Sequence, residues 1–321
     1  MIKYVCLVCT LFTSMSFASV ESLKLLHQRQ TNTYGSDWTY HEDTEEHRQE
    51  FFKWIASHGL WDSYARVILT VGCRDADYIP KCPDAGKVFY VDNQTSYQVM
   101  HNGVKVVKDC YYGNWMTDLI YGLKGHHEPQ EEKAFYEVLK HIPSNAVMIE
   151  LGSYWAYYSL WFAKTIPQAQ NYLVEPDPER LNIGKRNFAL NGLTGTFIHG
   201  YVGECNDDSG NSQDASSVFI DSFLESNNIE HVNILHSDIQ GSEYAMLQSA
   251  VKSIHAKKID YLFISTHSQQ LQMDCINFLE SCDYVILTEH SPGESFSVDG
   301  LIVAKRSDLV GCEKISISKN R

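Results

Sequence analysis

"MIELGSYWAYYSLWF", residues 148–162, runs from a short apolar strand through a single glycine into a stretch crowded with aromatics. A strand that ends on glycine and passes at once into a helix is how a parallel α/β sheet begins. Outward from it the pattern stays regular. "NYLVEP" is the next strand, and Asp177 and Pro178 stand as N-cap and first helical residue before "ERLNIGKRNFALNG", which Gly192 closes. "GTFIHGYV" is a third strand, and residues 204–217 a polar loop before the helix "VFIDSFLES". "HVNILHSDIQG" with "SEYAMLQSAVKSI", then "DYLFISTHS" with "QLQMDCINFLESC", give two further strand–helix pairs. "YVILTEHS" and "VDGLIVAKR" close the chain as strands joined through Pro292-Gly293, with no helix between them. Alternation of this kind predicts a doubly wound α/β sheet covered on both faces, with an antiparallel last strand.

Before residue 126 the alternation fails. "HRQEFFKWIASHGLWDSYARVIL" has helical spacing, with Phe51, Trp54, Ile55 and Leu60 on one face, and "KVFYVDNQTSYQVMHNGVKVVKD" reads as short strands turned at Asn102-Gly103. The expected layout is a leader over residues 1–18, a helix and hairpin extension over 19–125, and the main domain over 126–321. Lys3, the apolar run Tyr4–Phe12 and Ser16-Phe17-Ala18 have the order of a cleavable signal peptide, which implies export. Without a working leader the chain stays in the cytoplasm. The apolar run is too short for a stable membrane span. Of nine cysteines, Cys6 and Cys9 would leave with the leader, and the scattered rest form no disulfide framework. Cys73 and Cys82 either bridge locally or stay as buried thiols. A formal charge of -14 argues against a nucleic-acid partner.

Gly152 falls at the carboxyl end of the first strand, where ligands bind in such sheets, and the following helix offers free N–H groups. Glu175 ends the second strand, placed to accept hydrogen bonds from ribose hydroxyls. Together they point to an adenosine-containing cofactor. A dinucleotide needs a glycine-rich turn for its pyrophosphate, yet Tyr154 and Ala156 stand where later glycines would, and Glu150 would repel phosphate. S-adenosyl-L-methionine has a cationic amino group, a sulfonium and no phosphate, and it suits this loop. An NAD(P)-dependent oxidoreductase and a non-catalytic exported binding protein remain the competing readings.

The motifs "MIELGSYWAYYSLWF", "VEPDP", "NFALNG" and "HSDIQGSE", with "GHHEPQEE" upstream, resemble those of FkbM-like S-adenosylmethionine-dependent methyltransferases over residues 112–306. The resemblance implies a class I methyltransferase (Rossmann-like) sheet and O-methylation of a sugar or other small hydroxyl-bearing acceptor. It implies a cofactor site of Glu128, Glu150, Gly152, Tyr154, Glu175 and Pro176, with Glu128 helping to close the pocket.

Methyl transfer needs an aligned acceptor oxygen and a group to take its proton. Asp238, at the end of the fourth strand, is the first candidate for that base. Glu243 stands in the first turn of the next helix, where it either joins the chemistry or serves the helix dipole. His267 ends the fifth strand as a second candidate for orienting substrate or sharing the proton. His126, His127 and Glu128 lack metal-ligand spacing, and no residue is assigned to a metal. Asn187 and Asn191 are either structural caps or neighbours of the adenine.

Overall fold

The computed structural model of the chain describes residues 66–320 apart from 68, 93–94 and 204–214. The leader, the helix expected around Phe51 and Trp54, and Cys205 lie outside them. After helical residues at 66–67 and 69–71 come three strands, β1 (Val88–Tyr90), β2 (Ser96–Val99) and β3 (Lys105–Val107), paired as an antiparallel meander. The β2–β3 connection turns at Asn102-Gly103 as expected, and Asn102 Oδ1 accepts the Val104 N–H at 3.0 Å. Helices α1 (Asn114–Gly122) and α2 (Pro129–Leu139) lead into the main sheet.

The main sheet is built from β4 (Val147–Leu151), β5 (Gln170–Glu175), β6 (Thr196–Val202), β7 (Ser216–Val218), β8 (Val232–Ser237), β9 (Ile259–Thr266), β10 (Tyr284–His290) and β11 (Gly300–Arg306). Its order is β10-β11-β9-β8-β4-β5-β6-β7. All neighbours are parallel except β11, which runs antiparallel to both β9 and β10. The chain steps outward from β4 to β7, then returns to place β8 on the other side of β4. That reversal opens a crevice between the carboxyl ends of β4 and β8.

The helices are α3 (Tyr157–Thr165), α4 (Pro178–Leu190), α5 (Ile220–Ser226), α6 (Glu243–Ser249), α7 (Val251–His255) and α8 (Gln269–Ser281). Alternation along the strands divides the core. On β9, Leu262 and Ile264 face one apolar cluster, and Tyr261 and Phe263 the other. The second of these clusters also takes in the aromatics of α3 and, from the β2–β3 hairpin, Met100, Val104 and Val106. Among the described residues no helix is long and apolar enough to cross a membrane.

Two local expectations change. Residues 216–217, read as loop, and Val218, read as the first helical residue, pair with β6 as the edge strand β7, so the following helix starts only at Ile220. The helix expected across 242–254 breaks at Ala250 into α6 and α7. There the Asp221 carboxylate accepts the N–H groups of Lys252 (2.9 Å) and Ser253 (2.8 Å), capping a new helix start. Cys73 and Cys82 are both free thiols, and burial pushes Cys73 up to about 12.

Candidate functional site

The loop from β4 to α3 is wound tightly. Gly152, Tyr154 and Ala156 all take positive φ, at 75, 37 and 63°. Tyrosine and alanine pay steric energy in that region, so neighbouring contacts must hold them there. Glu175 supplies one: its Oε2 accepts the Tyr154 N–H at 3.0 Å while its Oε1 accepts the Asp177 N–H at 2.9 Å. The Arg180 guanidinium covers the Tyr154 ring, 4.6 Å from its centroid. Glu150 is buried and its Oε2 accepts the Ser159 N–H at 3.1 Å, which uses one of the free donors of α3. Burial raises the pKa of both Glu150 and Glu175.

Gly152 was expected to let a ligand approach the backbone. The structure gives that space to the protein itself: a Cβ there would lie 1.9 Å from the carbonyl oxygen of Asp238. The glycine therefore draws the ends of β4 and β8 together and sets where Asp238 stands.

Beside this junction lies a cleft whose acids are Glu128, Glu131, Glu150 and Asp238, with Gly152, Ser153, Tyr154 and His236 among the other wall residues. The walls fit the expected methyl donor. Four carboxyl groups face a space suited to a sulfonium and an ammonium, and Ser153 Oγ and His236 Nδ1 are buried without hydrogen-bond partners. Free space is only about 40 Å³, against roughly 300–1,000 Å³ for small-molecule sites. Tyr111 and Tyr112 fill the rest; Tyr111 stacks on Trp155 at 4.6 Å, and Tyr112 meets Tyr154 edge-on at 5.7 Å.

Asp238, Glu243 and His267, expected separately, come together. His267 Nε2 lies 3.3 Å from Asp238 Oδ1 and 3.5 Å from Asp299 Oδ1, and its Nδ1 lies 3.1 Å from Glu243 Oε1. Gln240, at φ 57°, brings its amide to 2.9 Å from His267 Nε2 and 3.1 Å from Asp238 Oδ1. Glu243 is buried and also secures the loop, its Oε1 accepting the N–H groups of Ile239 (3.1 Å) and Gly241 (3.3 Å). Burial lowers the His267 pKa, but the adjacent carboxylates of Asp238, Glu243 and Asp299 outweigh it and raise the ring to about 10. Asp299 is pushed up to about 6 by burial, against the attraction of His267.

Sequence reasoning passed over Asp299. Its position follows from pairing: Gly300 on β11 faces Thr266 on β9, so the residues just beyond, Asp299 and His267, meet at the strand ends. It also missed a buried network beneath the cleft. Glu132 accepts from His127 Nδ1 at 2.7 Å and also contacts His126 Nδ1, while Glu131 contacts His236 Nε2 at 2.7 Å. Burial disfavours the His127 cation, yet Glu128 and Glu132 overcome that and raise it to about 10. The histidine pair expected only as irregular chain is therefore held by α2.

The remaining candidates separate. Glu128 and Tyr154 line the cleft; Glu175 and Pro176 are not among its wall residues. Pro176 offers its carbonyl to His199 Nε2 at 2.8 Å. Asn187 and Asn191 are structural: their Oδ1 atoms accept the N–H groups of Val107 and Lys105, both at 2.8 Å, and tie α4 to β3.

A family model for the methyltransferase FkbM domain matches residues 137–286. No curated protein matches the chain. Among solved structures, M. capricolum TrmK in complex with S-adenosyl-homocysteine aligns over 54% of this chain and 67% of its own, at 17% identity and TM-score 0.38. The precorrin-6y C5,15-methyltransferase of Geobacter metallireducens aligns over 55% and 88%, at 13% identity and TM-score 0.37. An rRNA methylase from Streptococcus thermophilus aligns over 55% and 96%, at 8% identity and TM-score 0.40. At such scores these likenesses add no argument about the acceptor. The family match spans the β4 loop, Glu175, Asp238 and His267, and with the acid-walled cleft it sets aside the dinucleotide reading. Residues 137–286 match the methyltransferase FkbM domain, and the chain is an S-adenosylmethionine-dependent methyltransferase.

Proposed function

We propose that this enzyme methylates a hydroxyl oxygen on a sugar or other small acceptor. The observation that carries the reading is the Asp238–His267–Asp299 group at the ends of β8, β9 and β11, beside the acid-walled cleft. When bound, the donor supplies a methyl group made electrophilic by its sulfonium. The acceptor oxygen forms a bond to the methyl carbon, the carbon–sulfur bond breaks, and its electron pair stays on sulfur. Asp238 takes the hydroxyl proton, and His267, 3.3 Å away, holds its carboxylate in place. Glu128 and Glu150 lie on the donor side, and Glu175 fixes Tyr154 in the loop. A cleft walled by carboxylates in a chain of charge -14 is poorly suited to a polyphosphate backbone.

The test is transfer of labelled methyl to a panel of monosaccharides, glycans and small hydroxyl compounds, with tRNA and rRNA alongside. Label on an oxygen of a sugar or small molecule supports the reading. Label on RNA alone, or on a nitrogen, refutes it.

A further inference from the structure

We propose that Asp238, His267 and Asp299 form a binding site for a divalent cation, with the Gln240 amide as a fourth ligand and Glu243 as the carboxylate behind the histidine. Three sheet strands bring the groups to the His267 ring, and ligand atoms of Asp238, Glu243 and His267 lie within 4.8 Å of one another. Asp238 follows β8, His267 follows β9, and Asp299 precedes β11, whose register sets it opposite His267.

Around His267 Nε2 lie Asp238 Oδ1 at 3.3 Å, Asp299 Oδ1 at 3.5 Å and the Gln240 amide at 2.9 Å. Each of these contacts to Nε2 is about as long as the separation of two ligand atoms that stand about 2.0–2.2 Å from one ion. As oriented, the Gln240 amide nitrogen meets the ring nitrogen; the opposite amide orientation turns its oxygen to the same point. Gln240 reaches that point from a left-handed backbone that glutamine seldom adopts.

Two buried atoms give independent support. His267 Nδ1 has no aligned hydrogen bond although Glu243 Oε1 is 3.1 Å away, and Glu243 Oε2 has no partner in a side chain 0% exposed. Metal-bound histidines commonly turn their other nitrogen to a carboxylate, and Glu243 is fixed for that purpose by the Ile239 and Gly241 N–H groups. Three carboxylates around one imidazole also leave a negative excess that a divalent cation offsets. The oxygen-rich set with a single imidazole suits Mn²⁺ better than a soft ion. Asp238 and Asp299 are 31% and 25% exposed, which leaves open positions for water or an acceptor hydroxyl.

A second trio, His101, His126 and Glu132, is buried with ligand atoms within 4.8 Å of one another, but its lone pairs are not aimed at one ion. The two rings stack at 4.2 Å with planes 16° apart, so their in-plane lone pairs run side by side, and Glu132 is already bonded to His126 and His127.

The site's use in polarising an acceptor hydroxyl rests on the hydroxyl-methylation reading; cation binding itself does not. The experiment is therefore titration of the full chain with Mn²⁺ alone, followed by the electron paramagnetic resonance of free Mn²⁺, with no methyl donor or acceptor present. The wild type should bind one equivalent saturably. Asp299→Asn, nearly isosteric, should weaken binding by about tenfold to a hundredfold or more, and His267→Ala should abolish it. Asp84→Asn, on the surface, should leave it unchanged. Circular dichroism confirms that each variant is folded, and Asp299→Asn decides the matter if His267→Ala is not. No saturable binding to the wild type, or equal binding by Asp299→Asn, overturns the proposal whatever the methyl-transfer assays show.

Discussion

Gly152 and Asp238 are locked together through a missing methyl group: the Cβ that any other residue would carry at 152 would lie 1.9 Å from the Asp238 carbonyl oxygen. One strand end thus sets the position of the proposed base on its neighbour. Gly152→Ala should destabilise the fold by more than about 1 kcal/mol, since φ is also 75°. It should also displace the Asp238 loop and weaken S-adenosylhomocysteine binding. Thermal unfolding with a binding titration checks both, and an unchanged variant would mean that the loop is free to shift.

Glu175→Ala should cost stability as well as affinity. It leaves the part-buried Tyr154 and Asp177 N–H groups without their acceptor, at up to about 1–3 kcal/mol for each donor that water does not reach. Urea unfolding of the unliganded protein should show the loss. Glu175→Gln keeps one carbonyl acceptor and should fall between. Full stability in the alanine variant would show that other groups hold the loop.

The His127–Glu132 pair gives a pH dependence. His127 is raised from 6.5 to about 10 in the fold, so its contribution is complete below about pH 6.5 and is lost as pH rises through about 10. Glu132 is held well below its ordinary 4.5 by His126 and His127, against the effect of burial. Its contribution is complete above about pH 4.5 and is lost as pH falls through its lower folded value. Stability measured by urea should decline between pH 7 and 9.5 in the wild type. Glu132→Gln should lose about 3–5 kcal/mol at pH 7, because it removes the carboxylate that buried His126 and His127 share and leaves His127 only Glu128. A wild-type curve flat from pH 7 to 9.5 would contradict the charged state of His127.

Asp238→Asn should lower the single-turnover rate by about 10² to 10⁴ while donor affinity stays within a few fold. Glu243→Gln retains a carbonyl for the Ile239 and Gly241 N–H groups, so its effect should be smaller. A near-normal Asp238→Asn beside a dead Glu243→Gln would reverse the two roles.

Much of the main sheet is legible in the chain because strand and helix periods alternate without interruption from Ala146, and Asp177-Pro178 and Gly192 punctuate α4 as capping chemistry requires. Asp238 and His267 are legible for the same reason, as polar residues at strand ends in an α/β sheet. Asp299 is not, because its place depends on antiparallel register between β11 and β9, which residue patterns do not encode. The roles of Asn187 and Asn191 are hidden likewise: only the packing of the β2–β3 hairpin against α4 shows that they bond strand amides. The single glycine of the β4 loop misleads in an instructive way, since its free space serves another backbone.

On the reading proposed above, the cleft beside Gly152 takes the methyl donor. Calorimetric titration of the full chain with S-adenosylhomocysteine, and separately with NAD, tests it most directly. Saturable one-to-one binding of S-adenosylhomocysteine, weakened by Glu175→Ala, is expected, with no binding of NAD. Binding of NAD, or no binding of S-adenosylhomocysteine by the folded protein, would contradict it.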